Sequence, residues 1–180
     1  MPIASSDIKF KLSVKTGSAG NSTAGTPAGS LGKYISTTEI TDNTLNNLFD
    51  DISGDENAAS TVDYRCIFIH NAHASLTLQS PVIWLSAEVS GGANITIAID
   101  DIAASAIGDS SAQAAQITNE TTAPTGTGAF SGPTSKGTGL SLGSIPAGQC
   151  KAVWVKRTAT NSAALSSDGV TLKVEGDTAA

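Results

Sequence analysis

The chain is expected to be all-β: an antiparallel β-sandwich, jelly-roll-like, with one short helix and an extended N-terminal arm. Segments with two-residue apolar alternation recur from Ile8 to Val174. Clusters of Gly, Pro, Asn and Ser separate them, and these residues make turns for defined backbone reasons. No strand–helix–strand alternation of the parallel kind interrupts the series. Composition agrees: 39% of the 180 residues are hydrophobic and 14% charged. The remainder is largely Ser, Thr, Asn, Ala and Gly, which suits wet strand faces and many turns.

Residues 140–157 anchor this reading. Leu140, Leu142 and Ile145 lead into Pro146-Ala147-Gly148, where proline sets its own φ and glycine supplies a positive one. The strand that follows carries Cys150, Ala152 and Trp154 on one face and Val153 and Val155 on the other. A strand apolar on both faces belongs between two layers, so it is expected at the centre of the fold.

In chain order, Ile8, Phe10, Leu12 and Val14 alternate with Lys9, Lys11 and Ser13, a half-buried strand with lysines outward. Residues 17–32 contain no apolar side chain larger than Ala until Leu31. Alone they bury too little to offset their ordering entropy. Residues 1–32 therefore read as strand plus flexible linker, an exchangeable arm, or equally as a strand and long surface loop of the same domain. Residues 33–180 read as a single β-sandwich domain. If the arm reading holds, removing 1–32 leaves a folded core.

Residues 33–40 suit a short strand. In residues 41–52 the apolar positions Leu45, Leu48, Phe49 and Ile52 keep helical spacing, with Thr41, Asp42 or Asn43 as cap and Gly54 as terminator. Residues 62–70 form the strongest strand, apolar on both faces around Cys66, Ile67, Phe68 and Ile69. Another runs from Val82 to Val89, with Trp84 opposed to Ile83 and Leu85. Residues 90–94 look like a hairpin loop leading to Ile95, Ile97 and Ile99. A helix and a wandering loop both fit 100–116. Residues 119–139 are a long connection anchored by Phe130, and Val170, Leu172 and Val174 close the chain as a strand.

Chemistry is sparse. The formal net charge of −6 argues against nucleic acid, which needs an excess of Lys and Arg. Residues 1–40 are net basic, whereas 41–64 hold Asp42, Asp50, Asp51, Asp55, Glu56 and Asp63 with no base. Residues 1–30 lack the apolar core of a secretory signal, and no window approaches the ~18 apolar residues of a membrane helix. No membrane partner and a cytoplasmic site of synthesis are expected. Cys66 and Cys150 read as buried thiols, with an immunoglobulin-like cross-sheet disulfide around Trp84 as the alternative.

His70 and His73 lack the further ligands a metal needs, so a turn hydrogen bond for one and exposure for the other are expected. The acids of 50–57 miss the spacing of a calcium loop. Nucleophile, phosphate-loop and dinucleotide motifs are absent, so no enzyme activity and no cofactor are expected. Aromatics, at 4%, are few for sugar stacking, and both tryptophans fall on core-like strands.

Several phrases carry a resemblance: SDIKFKLSVKTGSAGN with SLGKYIS, TLNNLFDDISGDENA followed by DYRCIFIHN, and IPAGQCKAVWVKRT before TLKVEG. Together the chain resembles tailed-bacteriophage virion structural proteins, including capsid decoration (cement) proteins. The resemblance implies a non-enzymatic protein on the capsid surface, made in the host bacterial cytoplasm. It would bind and stabilise the head shell through contacts with the major capsid protein and neighbouring copies of itself, trimers being common in such proteins. Ile8, Phe10, Leu12 and Val14 are then the candidate inter-subunit arm, acting by strand addition. The alternative is a tail or head-fibre protein contacting the host surface and binding glycans; an adhesin-like module ranks behind both.

Overall fold

A computed structural model describes residues 2–17, 20, 22–24 and 26–178. Among them nine strands are found: β1 (Ile8–Val14), β2 (Tyr34–Glu39), β3 (Val62–Asn71), β4 (Leu78–Glu88), β5 (Asn94–Ile99), β6 (Ser105–Ala106), β7 (Leu140–Ser141), β8 (Gln149–Thr158) and β9 (Val170–Thr178). A large sheet runs β2-β1-β3-β8-β5, with β6 also pairing to β8, and a small sheet runs β7-β4-β9. All pairings between strands are antiparallel.

The two-faced strands sit where their patterning requires. β3 and β8 pair over nine positions, Cys66 opposite Trp154 and Ile67 opposite Val153. Ile67, Ile69, Val153, Val155 and Ile97 face the small sheet and pack with Leu78, Ile83 and Leu85 in one buried cluster. Cys66, Phe68, Ala152 and Trp154 face the other way. There the covering layer is coil, not a third sheet: Leu31, Ala114 and Ile117 close that cluster, with Phe130 packed against it. The Phe130 ring meets Tyr64 edge to face, centroids 5.5 Å apart.

Buried polar side chains fasten this coil layer. Asp100 accepts hydrogen bonds from the Ala115 N–H (2.8 Å) and the Trp154 indole N–H (2.9 Å). Gln113 accepts from the Ile35 N–H and donates to the Ser105 hydroxyl and the Ala106 carbonyl. At Gly32 (φ +92°) a Cβ would lie 1.8 Å from the Ala115 carbonyl oxygen, so this close crossing admits only glycine.

The antiparallel sandwich and a short helix agree with the sequence expectation, whereas a six-plus-three division of strands does not establish the jelly-roll likeness. Residues 41–52 are not helical. Asn43 and Asn46 adopt left-handed backbone (φ 56° and 57°), which breaks a right-handed helix. The helix, α1 (Gly54–Ala59), begins where the expected one was to end. Ser53 caps it: its Oγ accepts from the Glu56 N–H, and the Glu56 carboxylate accepts from the Ser53 N–H at 2.7 Å. Ser53-Gly54-Asp55-Glu56 is the capping-box pattern that marks such a start.

Residues 90–94 are not a hairpin either. β4 and β5 belong to different sheets, so this loop crosses the sandwich. Remote carboxylates hold the crossing: Asp168 accepts from the Ala93 N–H and Glu88 from the Ile95 N–H, both at 2.7 Å.

β1 lies inside the large sheet, hydrogen-bonded to β2 on one side and β3 on the other. Of the linker 17–32, residues 18, 19, 21 and 25 lie outside the described residues. Elsewhere it is stitched to the sheet. The Gly20 N–H donates to the Ile35 carbonyl (2.8 Å) and the Thr37 N–H to the Ser22 carbonyl (2.9 Å). The Ser30 hydroxyl accepts from the Ser13 N–H and donates to the Cys66 carbonyl, all within the buried interior.

Candidate interaction surface

One end of the sandwich gathers charge and exposed apolar side chains. Asp63 and Arg65 on β3 and Arg157 on β8 point to the inter-sheet side where that sheet ends. Their side chains are 4%, 0% and 7% exposed. Arg157 donates to Asp63 at 2.7 and 3.2 Å, to the Asp50 carbonyl, and to the Asp50 carboxylate at 3.3 Å. Arg65 donates to Glu120 (2.5 Å) and to the Leu48 carbonyl (3.2 Å). The Phe49 ring lies 5.3 Å from the Arg65 guanidinium carbon and 4.7 Å from that of Arg157. Buried charge is costly unless paired and hydrogen-bonded. Both arginines of this cluster are so held, whereas Asp63 accepts through Oδ2 alone and its Oδ1 has no hydrogen-bond partner.

Its consequence is local order without secondary structure. Leu48 and Phe49 are drawn inward, and Asp50 is held at two points, so Leu45 is thrust out and is 70% exposed. Asp42, Asp51 and Asp55 stand exposed on the same segment and at the start of α1. Neighbouring loops are tied to this end. Asn57 and Ser162 exchange hydrogen bonds of 2.8 and 3.3 Å, and the Thr160 hydroxyl donates to the Gly92 carbonyl at 3.0 Å. Those loops carry Val89 and Leu165, both exposed. The result is an acidic, partly apolar face on a pre-ordered framework.

The arm candidates Ile8, Phe10, Leu12 and Val14 are brought together, but on the inner face of β1 in the chain's own sheet. Leu12 is buried and Ile8 and Phe10 pack against the inter-sheet core, while Val14 is half-buried. Lys9 and Lys11 take the other face, Lys9 reaching Glu39 at 3.4 Å.

His73 makes the expected turn, its Nδ1 accepting from the Ser75 and Leu76 N–H groups at 3.2 and 3.0 Å. His70 is not exposed. It is 6% accessible, and neither ring nitrogen has a hydrogen-bond partner. Burial and the nearby Lys11 hold its pKa below the ordinary value of 6.5, Glu39 opposes them, and Lys9 adds to the lowering. The unfolded chain therefore takes up this proton first, and stability is lost as pH falls below about 6.5. Denaturant titrations at pH 7.5 and 5.0 should show this loss, and His70→Leu should lose less over the same interval. Equal losses would exclude His70 as the titrating group.

Cys66 and Cys150 are free and buried. They lie in one sheet, Cys66 opposite Trp154 and Cys150 opposite His70. Four residues of strand at ~3.3 Å each put them about 13 Å apart, beyond disulfide reach of ~7 Å. The immunoglobulin-like pairing is thereby overturned. Burial raises both thiol pKa values, that of Cys150 to about 12, so both stay protonated and unreactive. Among the described residues no group of three or more His, Cys, Asp or Glu is placed to hold a metal ion, and no helix is long and apolar enough to cross a membrane.

The clamp was missed in sequence because its members come from four separate segments. One signal was present: Arg65 and Arg157 each stand next to apolar residues on the same strand face, Ile67 and Ile69 for the one, Val153 and Val155 for the other. Comparison with protein-family models, curated proteins and solved structures finds no match.

Proposed function

We propose that this chain is a non-enzymatic virion structural protein of the capsid-decoration (cement) kind, binding the head shell and bracing it through contacts with the major capsid protein and neighbouring copies. The observation that supports this reading best is the clamped loop face around Leu45. A bracing protein gains most from a docking surface that is ordered beforehand, because little conformational entropy is then lost on binding. Cross-tied loops on a sandwich buried on both sides of its large sheet meet that requirement. The phrase resemblance to phage virion proteins points the same way. Strand donation by β1 would require it to leave two partners, so the loop face, not the arm, carries the contact in this reading.

The test is to add labelled protein to undecorated particles and image them. Many copies over the head shell support the reading, and Leu45→Asp, which keeps the fold, should weaken that binding at least about tenfold. Few copies at the tail tip, or clear binding on a glycan array, would move the assignment to a tail or fibre protein that contacts the host.

A further inference from the structure

The small sheet ends in an open edge. β9 is nine residues long and pairs only with β4, and no other described backbone segment hydrogen-bonds along its outer side. The margins of the large sheet are covered. Gly20 and Ser22 are hydrogen-bonded along β2, and β5 bridges to Ser131 and accepts the Gly128 N–H at its Ile99 carbonyl. A long edge of unpaired N–H and C=O groups is a template for another strand, which proteins otherwise shorten, cover or distort.

We infer that β9 pairs antiparallel with β9 of a second copy about a two-fold axis at Val174. Val170, Leu172 and Val174 face the core half-buried, and Thr171, Lys173, Glu175 and Asp177 face outward. Antiparallel self-pairing sets residues equidistant from the axis opposite one another. Centred on Val174, Lys173 of each copy meets Glu175 of the other, and Thr171 meets Asp177. Centred on Lys173 the two lysines would collide, and centred on Glu175 the two glutamates would. The register at Val174 is the one of these three with no like charges opposed, and directly opposed charges decide cross-strand pairing.

On the inner side Val174 meets Val174, beside a shallow cleft of mixed polarity lined by Ile3, Ser5, Ile8, Leu78, Val174 and Thr178. The exposed Lys136–Glu175 pair is solvent-screened and does not bar the exchange. The small sheets of two copies then join as β7-β4-β9-β9-β4-β7, closed by the two-fold. This rests on the edge alone and does not require the virion reading.

Sedimentation equilibrium of the full chain should show a monomer–dimer equilibrium. Lys173→Glu should weaken it at least about tenfold, as should Glu175→Lys, because each opposes like charges twice. The double variant restores opposite charges and should re-form the dimer, with far-UV circular dichroism confirming that every variant is folded. A chain that stays monomeric, a trimer, or a dimer indifferent to the single changes would overturn the inference. Failure of the double variant to re-form the dimer would overturn the register.

Discussion

Deleting residues 2–32 should leave no cooperatively folded protein. β1 bridges β2 and β3, so its loss strips the ladder from both neighbours and detaches β2 from the sheet. Leu12 is buried and Ile8 and Phe10 pack on the inter-sheet core. Removing three such side chains at ~1.5–3 kcal/mol each approaches the whole stability of a domain, ~5–15 kcal/mol. The deletion also takes Ser30, which seals the Cys66 carbonyl at 2.6 Å, and Leu31, which covers Trp154's side of the sheet. Circular dichroism and denaturant titration measure the outcome. A sharp transition near the full-length midpoint would show that residues 2–32 are an appendage, as the arm reading holds.

Much of the strand layout was legible in the sequence, and some of what packs against it was not. Alternation located β1, β5 and β9, because a half-buried strand must repeat every two residues whatever it packs against, and runs apolar on both faces located β3, β4 and β8. Strands apolar on both faces, such as β8, announced a central position. The identity of the second covering layer was hidden, since coil from 100 to 130 carries few large apolar residues and is held by single polar plugs, Asp100 and Gln113. The described part of 17–32 is fastened in the same way. Ser30 of that segment, like Ser13 and Ser36 on the strands beside it, is fully buried and spends its hydroxyl on backbone groups.

Helical spacing in 41–52 was outweighed by two asparagines that accept left-handed backbone and by arginines that attract Phe49 and Asp50. Gly91-Gly92 correctly marked a turn, but which strands a turn joins is settled by remote partners such as Asp168. Of the interaction face, the acidic run was visible as charge. The clamp that orders it depends on contacts across more than a hundred residues of sequence, from Asp50 to Arg157.

Trp154→Ala is expected to cost about 3–5 kcal/mol, the range for truncating a large core aromatic. Trp154 has no exposed surface and stands on the central strand opposite Cys66. Its loss would open a void between a stiff sheet and a coil layer, and the coil is the softer wall. The indole N–H also supplies one of the bonds to Asp100 Oδ2, leaving the Ala115 N–H as the other. Trp154→Phe separates the two contributions by keeping most of the volume while deleting the donor. It should cost about 1–3 kcal/mol, the penalty for an acceptor left short in the interior. Urea titrations give both values, provided the slope is unchanged from the parent protein. Hydrogen exchange at the Ala115 amide adds a local readout: it should quicken in both variants, because Asp100 anchors that amide and Trp154 anchors Asp100. A loss below about 1 kcal/mol for Trp154→Ala, well under the large-to-small range, would mean that the coil collapses to fill the void. The layer over the large sheet would then be a pliable cover, and the rigid framework invoked for the docking face would reside in the two sheets and the arginine clamp alone.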